Sequence, residues 1–210
     1  MRTSVKFSFA AAILAAFAAP AYAAGLKMVP EEGTVELLLL RQKSIRSELK
    51  LSEKEAEAIH KYAMDQWKKA EQVTELSKDE QERKWEEMAR ENERFIERTL
   101  TKDQRKRLEE IALQIAGLLF VTKRDIASQL NLTEEQIKRA HQFQKEARTE
   151  LEEVIHSTKH EQRKEKLAEL RKTNRKRLMD ILTDDQEAKW KHMTGTPFTA
   201  EFEYDTTTTK

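Results

Sequence analysis

The sequence has no cysteine. A cysteine nucleophile and acylation at a lipoprotein cysteine are therefore excluded, and the fold must stand on its core without disulfides. Glycine and proline, the strongest punctuation a sequence has, number 4 and 3. Between Thr34 and Thr194 there is one glycine, Gly117, and no proline, so the body is expected to be almost entirely helical. Long apolar runs are missing too. The longest, FSFAAAILAAFAAP, falls short of the roughly 20 apolar residues that a membrane span needs. It follows a basic start, MRTSVK, and precedes AYA ending at Ala23, which is the layout of a secretory signal peptide. Cleavage near Ala23 would leave an exported chain, periplasmic or otherwise, without a membrane span.

Charge of one sign is also lacking. Without Arg2 and Lys6, 37 basic residues face 38 acidic ones, a balance that indicates neither nucleic acid nor an anionic membrane as partner. There is no glycine-rich phosphate loop and no serine set beside histidine and carboxylate in a recognisable motif. Paired carboxylates such as Glu109 with Glu110, or Glu152 with Glu153, read as charged helix surface. No enzyme and no cofactor is expected. What is abundant is charge of both signs, 37% of residues against roughly 25% in an average domain. That calls for a large solvated surface and narrow apolar stripes.

One short pattern recurs. LTKDQ begins at Leu100, LTEEQ at Leu132, LTDDQ at Leu182, and a looser LSEKE at Leu51. Each can open a helix as a capping box. The hydroxyl of Ser52, Thr101, Thr133 or Thr183 accepts a backbone N–H three residues on, while Glu55, Gln104, Gln136 or Gln186 reaches back. Such a cap is worth about 1 kcal/mol.

The spacing of the boxes follows from sliding the chain along itself by 81 residues. Leu37 to Ser52 then lies over Leu118 to Thr133 with 6 of 16 positions identical, and His60 falls on His141. With one residue inserted, Trp85 falls on Leu167, Asn92 on Asn174 and Ile96 on Leu178. Residues 1–23 are thus the signal peptide, 24–35 a linker, 36–116 and 117–195 two helical repeats, and 196–210 an extended or disordered tail. Each repeat is expected to open with a short helix, continue with two longer antiparallel helices and end with a shorter one. Gly117 and Gly195 would cap the last helices. The narrow seams support this: Ile59, Ala63, Gln66 and Val73 in one repeat, Ala140, Gln144, Ala147 and Val154 in the other, at helical spacing.

LNLTEEQ followed some fifty residues later by ILTDDQ, in an exported, cysteine-free helical chain, resembles the LTxxQ-motif family of periplasmic proteins. That family includes the chaperone Spy, the envelope-stress inhibitor CpxP and the metal-responsive ZraP and CnrX. The match is best over 126–190, and LSEKE departs from the motif with serine and glutamate. The resemblance implies an all-α fold of duplicated antiparallel helical hairpins in a Spy-like curved assembly. It implies an intramolecular pseudo-dimer, with a homodimer as a further option. It also implies chaperone-like binding of partly unfolded or stress-related envelope proteins.

Trp67 and Phe95, which align with Arg148 and Arg177, are the candidate client-binding residues, because the duplicated framework does not keep the aromatics. Met64, Met88, Met179 and Met193 could line an adaptable groove. Two other functions stay open. In a metal-binding or metal-sensing protein, His156, His160 and Glu152 would share a helix face and could hold zinc, nickel or copper. The other is a structural module for one dedicated protein partner. His60 and His141 are expected at helix interfaces. Asn92 and Asn174, each on an apolar seam, are candidates for fixing helix register through a hydrogen bond across an interface.

Overall fold

A computed structural model describes residues 33–73, 75–157 and 160–200. The signal peptide, most of the expected linker and residues 201–210 lie outside the described residues. Within them the protein is all-α. The helices are α1 (Thr34–Leu40), α2 (Lys43–Glu48), α3 (Glu53–Val73), α4 (Lys78–Thr99), α5 (Lys102–Phe120), α6 (Arg124–Leu130), α7 (Glu134–Ser157), α8 (His160–Met179) and α9 (Asp184–Thr194). No strand occurs among the described residues, and no helix there is long and apolar enough to cross a membrane. The chain divides into two compact units, one ending at Ala112 and the other starting at Leu113.

Helix starts follow the local chemistry. α2 and α6 begin at 43 and 124, α3 and α7 at 53 and 134, α4 and α8 at 78 and 160, α5 and α9 at 102 and 184. The offsets are 81, 81, 82 and 82 residues. Before α3, α5, α7 and α9 stand Ser52, Thr101, Thr133 and Thr183, with each hydroxyl accepting the N–H of residue 55, 104, 136 or 186 at 3.2–3.4 Å. A fifth box, Ser77 with Glu80, opens α4. Its letters, LSKDE, match the LSEKE pattern, and the sequence reading passed over them.

Two elements differ from expectation. The linker ends early, because α1 starts at Thr34 and already buries Val35. Here Gly33 takes a positive φ of 78° and donates its N–H to the Glu36 carboxylate at 2.6 Å. The last helix of the first repeat does not stop at Gly117: α5 breaks its helical geometry at Ala116 and runs on to Phe120. Gly117 is therefore not a C-cap. It lies against the Trp190 indole, where a methyl group would stand 2.5 Å from Cζ2, so its role is close approach rather than a left-handed turn. Gly195, with φ 59°, does close α9.

The first unit buries Leu39, Leu40, Ile45, Ile59, Leu108 and Ile111 completely or nearly so. α3 and α4 run antiparallel, with Tyr62 meeting Asn92 and, nearer the turn, Lys69 meeting Glu91. The second unit buries Val121, Leu130, Ala140, Leu167 and Trp190. There α7 and α8 pair antiparallel as well, with Glu150 meeting Arg177. His60 and His141 are exposed, contrary to expectation. Each follows a fully buried residue, Ile59 or Ala140, and one step along a helix turns a side chain by about 100°.

Residues 196–200 form no helix, as expected for the tail, but they are held. Gln114 Nε2 donates to the carbonyls of Thr194 and Thr196 at 2.6 and 2.9 Å, and its Oε1 accepts the N–H of Phe198 at 2.7 Å.

Candidate functional site

The recurring boxes do more than cap. In the second unit Gln136 Nε2 donates to Gln186 Oε1 at 2.6 Å, and Gln186 Nε2 contacts Gln136 Oε1 at 3.1 Å. Each amide also reaches the backbone leading into the other's helix, Gln136 to Ile181 O at 2.8 Å and Gln186 to Asn131 O at 3.2 Å. Each Oε1 meanwhile takes the N–H of its own Thr133 or Thr183 at 2.9 and 3.0 Å. A primary amide has two donors and an acceptor. Glutamine can therefore complete its own box and clasp the neighbouring helix start together.

The base of the first unit has half of this arrangement. Gln104 completes the Thr101 box and donates Nε2 to Leu49 O at 3.1 Å. Its expected partner is Glu55, whose carboxylate takes both the N–H and the hydroxyl of Ser52, at 2.7 and 2.6 Å. Those two hydrogen bonds hold the Glu55 pKa below the usual carboxylate range. An ionised carboxylate has no donor, so Glu55 cannot reach across as Gln136 does.

The two hairpins also differ at mid-length. Tyr62 and Phe95 stack face to face, with centroids 3.8 Å apart and planes 3° from parallel. Tyr62 donates to Asn92 Oδ1 at 3.2 Å and accepts from Gln66 Nε2 at 2.9 Å. Gln66 also reaches Glu91 at 3.0 Å, and Lys69 pairs with the same carboxylate at 2.6 Å. Burial, then the nearby Glu91 charge, pushes the Tyr62 pKa up to about 12. The hydrogen bonds from Lys69 and then Gln66 hold Glu91 below its ordinary range. In the second hairpin Phe143 and Arg177 stand where Tyr62 and Phe95 do, with the guanidinium carbon 5.7 Å from the ring centroid. Arg177 is held by Glu150 through two hydrogen bonds of 2.8 and 2.7 Å, and Glu146 lies at 3.4 Å. The Glu150 bonds come first among the causes that raise its pKa.

Asn92 is 3% exposed and bonded across the helix pair. Asn174 is half-buried, and its Oδ1 accepts from Arg177 on its own helix at 3.2 Å. The difference has a plain cause: Phe143 lacks the hydroxyl through which Tyr62 reaches Asn92.

Trp67 and Phe95 are both half-buried; Trp67 Nε1 donates to Glu71 at 3.1 Å, and Phe95 is covered by Tyr62. Arg148 and Arg177 are half-buried too. Met88 is buried, and Met64, Met179 and Met193 are half-buried. Among the described residues the one large apolar side chain that is exposed is Leu76, at 37%, in the turn between α3 and α4. The candidate client residues therefore do not form an open apolar face.

The side chains of Glu152, His156 and His160 lie outside the described residues. Among those described, no group of three or more metal-ligating side chains stands together. Gln144, placed on the apolar seam by its spacing, is 3% exposed, and its unforeseen partners are Leu118 O, to which Nε2 donates at 2.8 Å, and Thr122 Oγ1 at 3.0 Å. Neither a family model, nor a curated protein, nor a solved structure matches the chain.

Proposed function

We propose that this chain is an exported, non-catalytic protein that holds partly unfolded envelope proteins through two LTxxQ-type helical hairpins. The observation that carries the reading is the glutamine clasp of Gln136 with Gln186. It gives the third shared letter of the motif a use that an ordinary helix cap does not require. The half-buried aromatics Trp67 and Phe95, with Arg148 and Arg177 at the corresponding places of the second repeat, are the proposed contacts. The aromatics would bind apolar segments and Arg148 acidic ones, Arg177 being already paired with Glu150.

The test is suppression of aggregation of several chemically unrelated unfolding proteins by the mature chain. Broad protection, reduced by Trp67→Ser with Phe95→Ser while helix content by circular dichroism stays unchanged, is the expected result. Protection of none of them would remove the chaperone reading in favour of a dedicated partner. Loss of folding in the double variant would place both aromatics in the core.

A further inference from the structure

We infer that the first hairpin opens along the α3–α4 seam in the folded protein, far more often than the second opens between α7 and α8. The first weak point in that seam is Gln66. It is 5% exposed, and its Oε1 is buried with no hydrogen-bond partner. A buried acceptor left unpaired destabilises the closed state and recovers its hydrogen bond as soon as water enters. The residue 81 positions on is Ala147, which carries no such group. Among its described residues the second hairpin has one orphan of its own, Arg148 Nε, on a side chain that is half-buried.

The base and the middle of the hairpin point the same way. At the base, Gln136 and Gln186 tie α7 to the start of α9 from both sides, whereas Glu55 spends its carboxylate on Ser52 alone. At mid-length Arg177 grips Glu150 with a two-pronged ion pair and is 17% exposed. Lys69 makes a single contact with Glu91 and is 49% exposed, while the two acids are about equally open, Glu91 at 32% and Glu150 at 39%. Charge pairs that water reaches contribute little. The orphan amide, the base and the single-pronged charge pair each leave the first hairpin less secure, although Tyr62 still bonds Asn92 across its seam.

Opening would uncover Ile59, Ala63, Val73, Met88, Ala89 and Ile96, all buried when the seam is closed. That is the apolar surface which the closed protein does not offer. The inference rests on the client-binding reading only for the use to which this surface is put. The opening itself is tested without any client.

The experiment is native-state amide hydrogen exchange on the mature chain, followed by mass spectrometry and corrected for intrinsic rates. Amides of 59–70 and 85–96 should exchange about tenfold faster or more than those of 140–151 and 167–178, as sub-global opening of one unit requires. Glu55→Gln, which supplies the missing donor, should slow the first set and leave the second unchanged. Equal protection in the two hairpins, or a Glu55→Gln variant that leaves the first set as fast as before, would overturn the inference. Protection from aggregation that fails while the exchange asymmetry stands would refute the function and leave the opening intact.

Discussion

The two hairpins solve the same structural problems with different side chains. Across the helix pair, the first sets a base on α3 against an acid on α4, Lys69 with Glu91. The second reverses the polarity, with Glu150 on α7 and Arg177 on α8. Where one stacks Tyr62 on Phe95, the other lays Arg177 over Phe143. Carbonyls near the end of α1 are satisfied by Arg46 of α2, which donates to Leu40 O and Arg41 O, and those near the end of α5 by Gln144 of α7, which donates to Leu118 O. A guanidinium over an aromatic face replaces a second ring because both are flat; the cation is drawn to the ring's negative face, whereas the parallel ring is held there by the apolar area it covers. The lesson is that the requirement, a filled seam with satisfied polar groups, is what recurs, and the residues that meet it are free to change.

The comparison can be broken most forcefully at Gly117. Gly117→Ala drives a methyl group into the Trp190 ring, and overpacking of this kind costs about 1 to 3 kcal/mol. Thermal unfolding should shift down, with the near-ultraviolet circular dichroism of Trp190 perturbed. An unchanged midpoint would mean that the indole moves aside freely.

Next in size is the clasp. Gln136→Glu makes the second base resemble the first and removes the donor to Ile181 O and Gln186. A loss of about 1 to 2 kcal/mol is expected from denaturant unfolding. Gln186→Ala should lose less in that background than in the parent, because the two groups act as a pair. Strict additivity would show that the two glutamines cap their own helices and nothing more.

The asparagines sharpen the contrast further. Asn92→Leu strips Tyr62 of its acceptor inside a buried seam and should cost about 1 kcal/mol. Asn174→Leu, at a half-buried place, should stay within about 0.5 kcal/mol. Equal effects would remove the distinction drawn between them. A smaller gain is expected at Lys50, which adopts φ 53° where Asn131, 81 residues on, adopts the same angle. Lys50→Gly should stabilise by up to about 1 kcal/mol, since a non-glycine side chain is strained there.

Acid provides the weakest handle. The Glu55 pKa is depressed in the folded state by Ser52, so its contribution is complete above the unfolded value of about 4.3. It is lost as pH falls through the folded value. Glu55→Gln should flatten that part of the stability profile below about pH 4.3, and a profile of unchanged slope would deny the cap any role.

Much of the fold was legible in the sequence because helix starts are local. A hydroxyl and an amide or carboxylate three residues apart find their backbone partners whatever the rest of the chain does, so Ser52, Thr101, Thr133 and Thr183 marked the four helix starts before which they stand. The scarcity of glycine and proline likewise left little besides helix. The candidate site was legible only as a set of residue types. Trp67 and Phe95 stood out because their counterparts are arginines, yet whether they are open to solvent depends on Glu71 and on Tyr62, and nothing in the alignment of repeats states that.

Composition and local hydrogen bonding by themselves determined that this chain is helical, where its helices begin and which faces are apolar. Tertiary structure alone decided that Gly117 makes room for an indole 73 residues away rather than ending a helix. It also decided that Gln136 finds Gln186 while Glu55 stays with Ser52, and that Asn92 finds Tyr62 while Asn174 finds Arg177. The physical reason is the range of the interaction. A cap is satisfied within one turn, whereas the partner of a buried amide or a large ring is whichever group the packing of distant helices brings within hydrogen-bond or van der Waals reach.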